Sequence, residues 1–304
     1  MTSTRWRIPL ILIALTFVTT FWAGAKMHGQ APSEHPLTLL SGWDFALPLM
    51  AILLAHEFGH YIAGRIHGVD ISPPYFIPMP HLLGTMGAVI GMRGEIRSRN
   101  ALLDIGASGP LAGMAVALPV LVFGIATSPI EPLLSAGTFI IEGRSLLYTA
   151  LLYALKGPIP AGHDIMLSPM AFAGWAGLLV TMMNLLPFGQ LDGGHVAYAL
   201  LGETQNRIAR LVLFALPLVS LATCLAYGWS AYRAGLRDDA LLGEALAGMH
   251  WMIWFVVLGI MSKIGGIDHP PAGEAPLGPG RRIIAIATLA LFVLLFMPSW
   301  IRLG

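Results

Sequence analysis

Charge is scarce in this sequence. Asp, Glu, Lys and Arg make up 11% of its 304 residues, against roughly 25% in an ordinary soluble domain. With 56% hydrophobic residues and a mean hydropathy of +0.73, that shortage argues against a conventional water-soluble globule and predicts a polytopic membrane protein. The net charge is only +1, which argues against a nucleic-acid partner, since that would want a clustered basic face. Cysteine is nearly absent. Cys224 stands alone in an apolar run, which excludes an intrachain disulfide and any cysteine-based metal cluster. No stretch between apolar runs is long enough for a separate soluble domain. Residues 1–304 are therefore expected to form a single integral-membrane domain with its core at about residues 45–200.

What the chain has in abundance is long apolar runs. Ile8 to Ala23, Phe45 to Ile66, Ile105 to Ala126, Pro169 to Pro187, Ile208 to Tyr227, Met249 to Ile264 and Ile283 to Trp300 all approach the ~20 residues needed to span a bilayer. Arg5 and Arg7 before the first run, and Ala23-Gly24-Ala25 at its end, resemble a signal peptide; near-spanning length and the spans that follow predict a retained helix instead. The expected fold class is thus an all-α polytopic membrane protein with about six or seven transmembrane helices. Between the runs, Leu82 to Ile96 combines β-branched residues with glycines and predicts a small membrane-associated β-hairpin. Leu146 to Leu155 predicts an interfacial helix, and Gly265 to Arg282 an irregular Pro/Gly-rich linker. Lys and Arg are more frequent on the side of the N-terminus, with Arg65, Arg99, Arg207, Lys263 and Arg281 among them, than on the side of Lys26, Arg144 and Lys156. That bias predicts a cytoplasmic N-terminus in the cytoplasmic membrane. Arg93, Arg97 and Arg99 read as anchors of one loop to the inner surface.

The second run contains His56-Glu57-Phe58-Gly59-His60. On a helix, positions i and i+4 share a face, so both imidazoles can reach one ion. Imidazole nitrogen suits zinc, and Glu57 between them is placed to take a proton from a water on that ion. Pro48 to Leu54 is wholly apolar, so three ionisable residues here need a reason: each costs at least about 2.5 kcal/mol at membrane depth. One zinc per chain is expected. A catalytic zinc commonly has three protein ligands, and Asp104, His163, Asp164, Asp192, His195 and Glu203 are candidates for the third. Asp192 stands out. Pro187 breaks the fourth run, and Gly189, Gly193 and Gly194 loosen the chain around this carboxylate. Irregular backbone at membrane depth is expected where it lines protein or a cavity.

The helix motif, together with Asn184-Leu185-Leu186-Pro187 and Leu191-Asp192-Gly193, resembles the site-2 protease family of intramembrane zinc metalloproteases. Gly84-Thr85-Met86-Gly87 and Gly109-Pro110-Leu111-Ala112-Gly113 look like family stretches, and the likeness runs from about Leu53 to Leu200 and more weakly through His269-Pro270-Pro271. The resemblance implies metal ligands at His56, His60 and Asp192, a catalytic base at Glu57, and Asn184 near the scissile peptide. It implies cleavage of a peptide bond within or next to the transmembrane helix of a membrane-protein substrate, in contact with the lipid bilayer. No PDZ-like or nucleotide-binding accessory domain is expected between these runs, so substrate identity does not follow from the likeness, nor does the oligomeric state.

A helical substrate must unwind before its peptide bond can be attacked. The hairpin offers an open strand edge for it, with Gly84 and Gly87 permitting close approach. Three rival readings stand beside this one. They are a zincin-like enzyme using Glu203 as third ligand, a catalytically inactive membrane-protein-binding relative, and a metal transporter. The intact Glu57 and the single compact set of ionisable residues disfavour the last two. His195 has two readings, a hydrogen-bonding partner behind the metal ligands and a surface histidine at a helix start, of which the second is favoured; His269 reads as a loop histidine.

Overall fold

The computed structural model describes residues 4–92, 96, 98–132, 140–273 and 275–303. Arg93 and Arg97, expected to anchor a loop, lie outside the described residues. Helix α1 (Thr4–Met27) leads through a 3-10 turn (Pro36–Gly42) into α2 (Trp43–Ile66), then strands β1 (Tyr75–Pro78) and β2 (Thr85–Val89) and helix α3 (Arg99–Thr127). Beyond these come β3 (Ile130–Pro132), β4 (Ile140–Glu142), α4 (Leu146–Lys156) and β5 (His163–Ile165). The remainder is α5 (Pro169–Asn184), α6 (Asp192–Leu201), α7 (Thr204–Arg233), α8 (Asp238–Ala245), α9 (Met249–Gly265), α10 (Pro279–Leu295) and β6 (Ile301–Leu303).

The helices dominate, as composition predicts. By length and composition, α1, α2 with its preceding turn, α3 and α7 can each cross a membrane, and α8 with α9 forms one more candidate bent by 42°. The all-α polytopic class holds; among the described residues four or five helices or bent pairs are candidate spans by length and composition, beside the six or seven suggested by the apolar runs. The difference lies in α5 and α10, which have 16 and 17 residues. At 1.5 Å per residue a helix of that size is roughly 25 Å long, short of the ~30 Å hydrocarbon layer. On α7, Leu211, Phe214, Leu218, Leu221 and Leu225 recur every three or four residues and are each more than half exposed. Such a stripe would be a liability in water, whereas lipid covers it.

Helix α5 is apolar on every face and is buried along nearly its whole length, as a helix hydrophobic all round must be. Ser168 caps it by accepting from the Ala171 N–H, with Pro169 at its first position. Phe45, Leu49 and Leu53 of α2, Leu121 and Ile125 of α3, and Phe172, Trp175 and Met182 of α5 form the main core. A second core joins Leu102 and Leu103 of α3 to Val196 and Tyr198 of α6 and Ala285 of α10.

The β-hairpin exists, but its bounds differ from the expected Leu82 to Ile96. β2 lies inside that stretch, while its partner β1 lies upstream, paired antiparallel with Tyr75 opposite Val89, Phe76 opposite Ala88 and Pro78 opposite Thr85. The turn falls at Met79–Gly84, where the Met79 N–H donates to the Gly84 carbonyl. Two further two-stranded pairs, β3 with β5 and β4 with β6, were not predicted. Helix α4 occupies the stretch where the interfacial helix was expected.

Candidate metal centre

Glycines let α2 and α3 approach closely behind the histidines. A Cβ on Gly59 would sit 2.5 Å from the Ser108 carbonyl oxygen, and one on Gly113 would sit 3.2 Å from His56 Cβ. A Cβ on Gly109 would collide with His60 Nε2. The Gly109-Pro110-Leu111-Ala112-Gly113 segment is thus a smooth wall against which both imidazoles rest. His60 Nδ1 lies 2.8 Å from the Ile105 carbonyl oxygen. A carbonyl only accepts, so the proton sits on Nδ1 and Nε2 presents its lone pair.

Asp192 arrives from the other side. Helix α5 stops at Asn184, Leu185–Leu191 is irregular, and Asp192 opens α6. Gly189 takes a left-handed φ of 49°. A Cβ on Gly193 would collide with the Leu185 carbonyl, and one on Gly194 with that of Gly189, so the paired glycines let the first turn of α6 tuck under the loop. A carboxylate in the first turn of a helix is also favoured by the helix dipole.

These two routes bring three ligand atoms together. His56 Nε2, His60 Nε2 and Asp192 Oδ2 lie 3.2 Å from one another on every side. Ligand atoms of a tetrahedral ion with bonds of ~2.0–2.1 Å are about 3.3 Å apart, so the triangle has the dimensions of one face of such a site. With His60 neutral, its Nε2 and the carboxylate oxygen are both acceptors, and a cation among them would offset their mutual repulsion. Among the described residues, His56, His60 and Asp192 form the only such cluster. Of the other candidates for third ligand, His195 lines the same cavity without joining the cluster, and the rest lie elsewhere. Asp104 is held by Arg281 (2.7 and 3.0 Å) and His67 (2.9 Å), and Asp164 by Arg144 at 2.5 Å. His163 and Glu203 are exposed.

These three side chains line a cavity of about 230 Å³ together with Glu57 and Asn184. Glu57 is buried, and Asn184 Nδ2 is 3.2 Å from His56 Nε2. The strand side of the cavity is formed by Ala88, Val89, Ile90 and Met92. β2 pairs only with β1 among the described residues, so its second edge has no strand partner. A second cavity of about 270 Å³ adjoins, sharing Gln190, Leu191 and Met261 with the first.

Gly84 and Gly87 are not among the cavity's walls. Gly84, at φ 75°, packs on α1, where a Cβ would lie 2.5 Å from the Thr19 carbonyl oxygen, and its own carbonyl accepts from Thr19 Oγ1 at 2.6 Å. Its job is the turn and the contact with α1. Gly87, at φ 90°, faces open space. The surface reading of His195 is also overturned: it is buried, lines the cavity and pairs with the equally buried His269. The sequence signal for His195 was its position one helical turn after Asp192; for His269 there was no local signal.

Residues 44–226 match the model of peptidase family M50. The chain belongs to peptidase family M50. The match covers both halves of the metal centre, and it bears out the site-2 protease resemblance read from the motifs. With its apolar helices, this M50 chain is a multi-pass membrane protein. Among relatives of the family, the chain is 32% identical over 300 residues to the protein named probable zinc metalloprotease EGY1, chloroplastic, of Oryza sativa subsp. japonica, covering 94% of this chain and 46% of that one. It is 31% identical over 192 residues to probable zinc metalloprotease EGY2, chloroplastic, of Oryza sativa subsp. indica, covering 60% and 34% respectively. It is 27% identical over 245 residues to probable zinc metallopeptidase EGY3, chloroplastic, of Arabidopsis thaliana, covering 70% and 40%. The chain therefore spans about a third to a half of the length of these relatives.

Proposed function

We propose that this chain is a zinc metalloendopeptidase that hydrolyses a peptide bond within or next to the transmembrane helix of a membrane-protein substrate, the reaction of regulated intramembrane proteolysis. The observation that carries this reading is the triangle of His56, His60 and Asp192 in a cavity that also holds Glu57, among apolar helices. One zinc per chain fits the donor set of two imidazoles and one carboxylate. Zinc, when bound, polarises a carbonyl and lowers the pKa of a coordinated water to about 7. Glu57 is the general base: it accepts the proton of the attacking water and returns it to the leaving amine. Asn184 donates its amide N–H toward the substrate carbonyl oxygen from the wall beside His56.

The substrate enters unwound. Opening a helix in lipid frees backbone groups at several kcal/mol each, and the unpaired edge of β2 supplies partners by strand addition. The walls of the adjoining cavity, largely apolar at Phe188, Leu191, Met261 and Ile264, suit the side chains of a membrane-spanning segment. Following the positive-inside bias, the N-terminus is cytoplasmic in the cytoplasmic membrane.

The test uses the protein purified in detergent and a panel of single-pass membrane proteins. Wild type is expected to cut at least one of them in or beside its transmembrane segment, and Glu57→Gln to cut none while retaining its metal. Equal cleavage by the two proteins would defeat the reading.

A further inference from the structure

His195 stands one turn along α6 from Asp192 and shares the cavity with Glu57. Its ring is fixed from behind by a directed chain of hydrogen bonds. His195 Nδ1 lies 2.7 Å from His269 Nε2, and His269 Nδ1 lies 2.6 Å from the Pro270 carbonyl oxygen. The carbonyl must accept, so His269 carries its proton on Nδ1 and accepts at Nε2; His195 must then donate from Nδ1. What remains is His195 Nε2, with its lone pair, for which no hydrogen bond is made among the described residues.

His269 is immobilised in its turn. Its ring stacks on Tyr198 with centroids 4.4 Å apart, its backbone N–H donates to Asn206 Oδ1 at 2.9 Å, and neighbouring Asp268 is held through both oxygens by Arg210. Residues from α6, α7 and the linker before α10 thus converge on one imidazole. A second metal between the two rings does not explain this, because 2.7 Å is a hydrogen-bond distance and ligands around one ion stand about 3.3 Å apart.

We propose that His195 is a substrate-binding residue: its Nε2 accepts a hydrogen bond from a backbone N–H of the unwound substrate beside the scissile bond, and His269 is a positioning residue that fixes the accepting tautomer. The proposal rests on the protease reading above. An extended segment presents its N–H groups alternately to two sides. Strand addition to β2 satisfies one side only, and the α6 wall, where His195 sits, needs an acceptor for the other.

The experiment pairs enzyme variants with synthetic transmembrane peptides in which single amides near the cut are replaced by esters, removing one N–H at a time. His195→Phe is expected to keep one zinc and lower kcat/KM by about 10- to 100-fold on the all-amide peptide, the range for leaving one buried polar group unpaired. His195→Gln, which restores an acceptor, should recover part of the loss, and His269→Ala should lose about 5- to 10-fold. At one ester position wild type should fall to the level of His195→Phe, with no further loss when the two changes are combined. Losses that multiply at every ester position would overturn the proposal, as would a loss that merely tracks missing zinc. If His195→Phe does not fold, the ester scan read on wild type against His269→Ala gives the same decision. Cleavage by Glu57→Gln equal to wild type would refute the protease reading itself; an active wild type, an inactive Glu57→Gln and an unimpaired His195→Phe would refute this proposal alone.

Discussion

Replacing Gly109 by alanine is expected to empty the metal centre without touching a ligand. In an ordinary helix interior this change adds about 0.5–1 kcal/mol of stability. Here the new methyl would collide with His60 Nε2, well inside the ~3.5 Å at which non-bonded heavy atoms rest. The ring must retreat by more than about 1 Å, and a ligand bond of ~2.0 Å does not survive that. The retreat also strains the 2.8 Å bond from His60 Nδ1 to the Ile105 carbonyl that fixes its tautomer. Second-sphere changes alone weaken metal sites by 10–100-fold, so an affinity loss of about 100-fold or more is expected. The same change at Gly113 meets His56 Cβ at 3.2 Å, which a shift of a few tenths of an ångström relieves, and should cost under about 10-fold. Metal analysis after dialysis against graded chelator ranks the two. Full zinc retention and full activity in Gly109→Ala would refute the argument that this glycine is the seat of His60.

Proline at alternate positions from Ala88 to Met92 removes a strand N–H on the side of the strand away from β1 and is expected to lower cleavage by at least about 10-fold while zinc stays bound; unchanged cleavage would remove the strand-edge route. Glu142, on the strand that pairs with β6, has its carboxyl raised above the ordinary 4.5 by burial, against the lowering effect of the Tyr148 hydroxyl donating at 2.8 Å. The folded state therefore holds that proton more tightly than the unfolded chain. The stabilisation is complete below the unfolded value and is lost as pH rises through the folded one. Glu142→Gln keeps an acceptor for Tyr148 and removes the titration, so its apparent Tm should exceed wild type most at about pH 8 and least at about pH 5; a gain independent of pH would contradict the assignment.

The chemistry was legible where spacing carried it. His56 and His60 at i and i+4, and the glycines and proline around Asp192, told of one ion and an interrupted helix before any coordinates. The apolar runs told of membrane helices, while hydropathy alone did not show that α5 is short and buried by protein along nearly its whole length. The first hairpin strand was missed since Tyr75–Pro78 follows Pro73-Pro74 and ends on a proline, a composition that reads as loop. Strands of three residues such as β3 and β6 have no periodicity to detect. That Gly84 serves a left-handed turn against α1 was not legible, because a glycine needed there and one needed beside a substrate look alike in sequence. The His195–His269 bond joins residues 74 apart, and only the tertiary fold brings them together.

The central claim is that one zinc is held by His56, His60 and Asp192 while Glu57 works on the substrate side. Zinc per chain, measured on detergent-purified wild type, Asp192→Ala and Glu57→Gln, tests it most directly. The account predicts one zinc in wild type and in Glu57→Gln, and a strongly reduced content in Asp192→Ala. Full zinc occupancy in Asp192→Ala would contradict it.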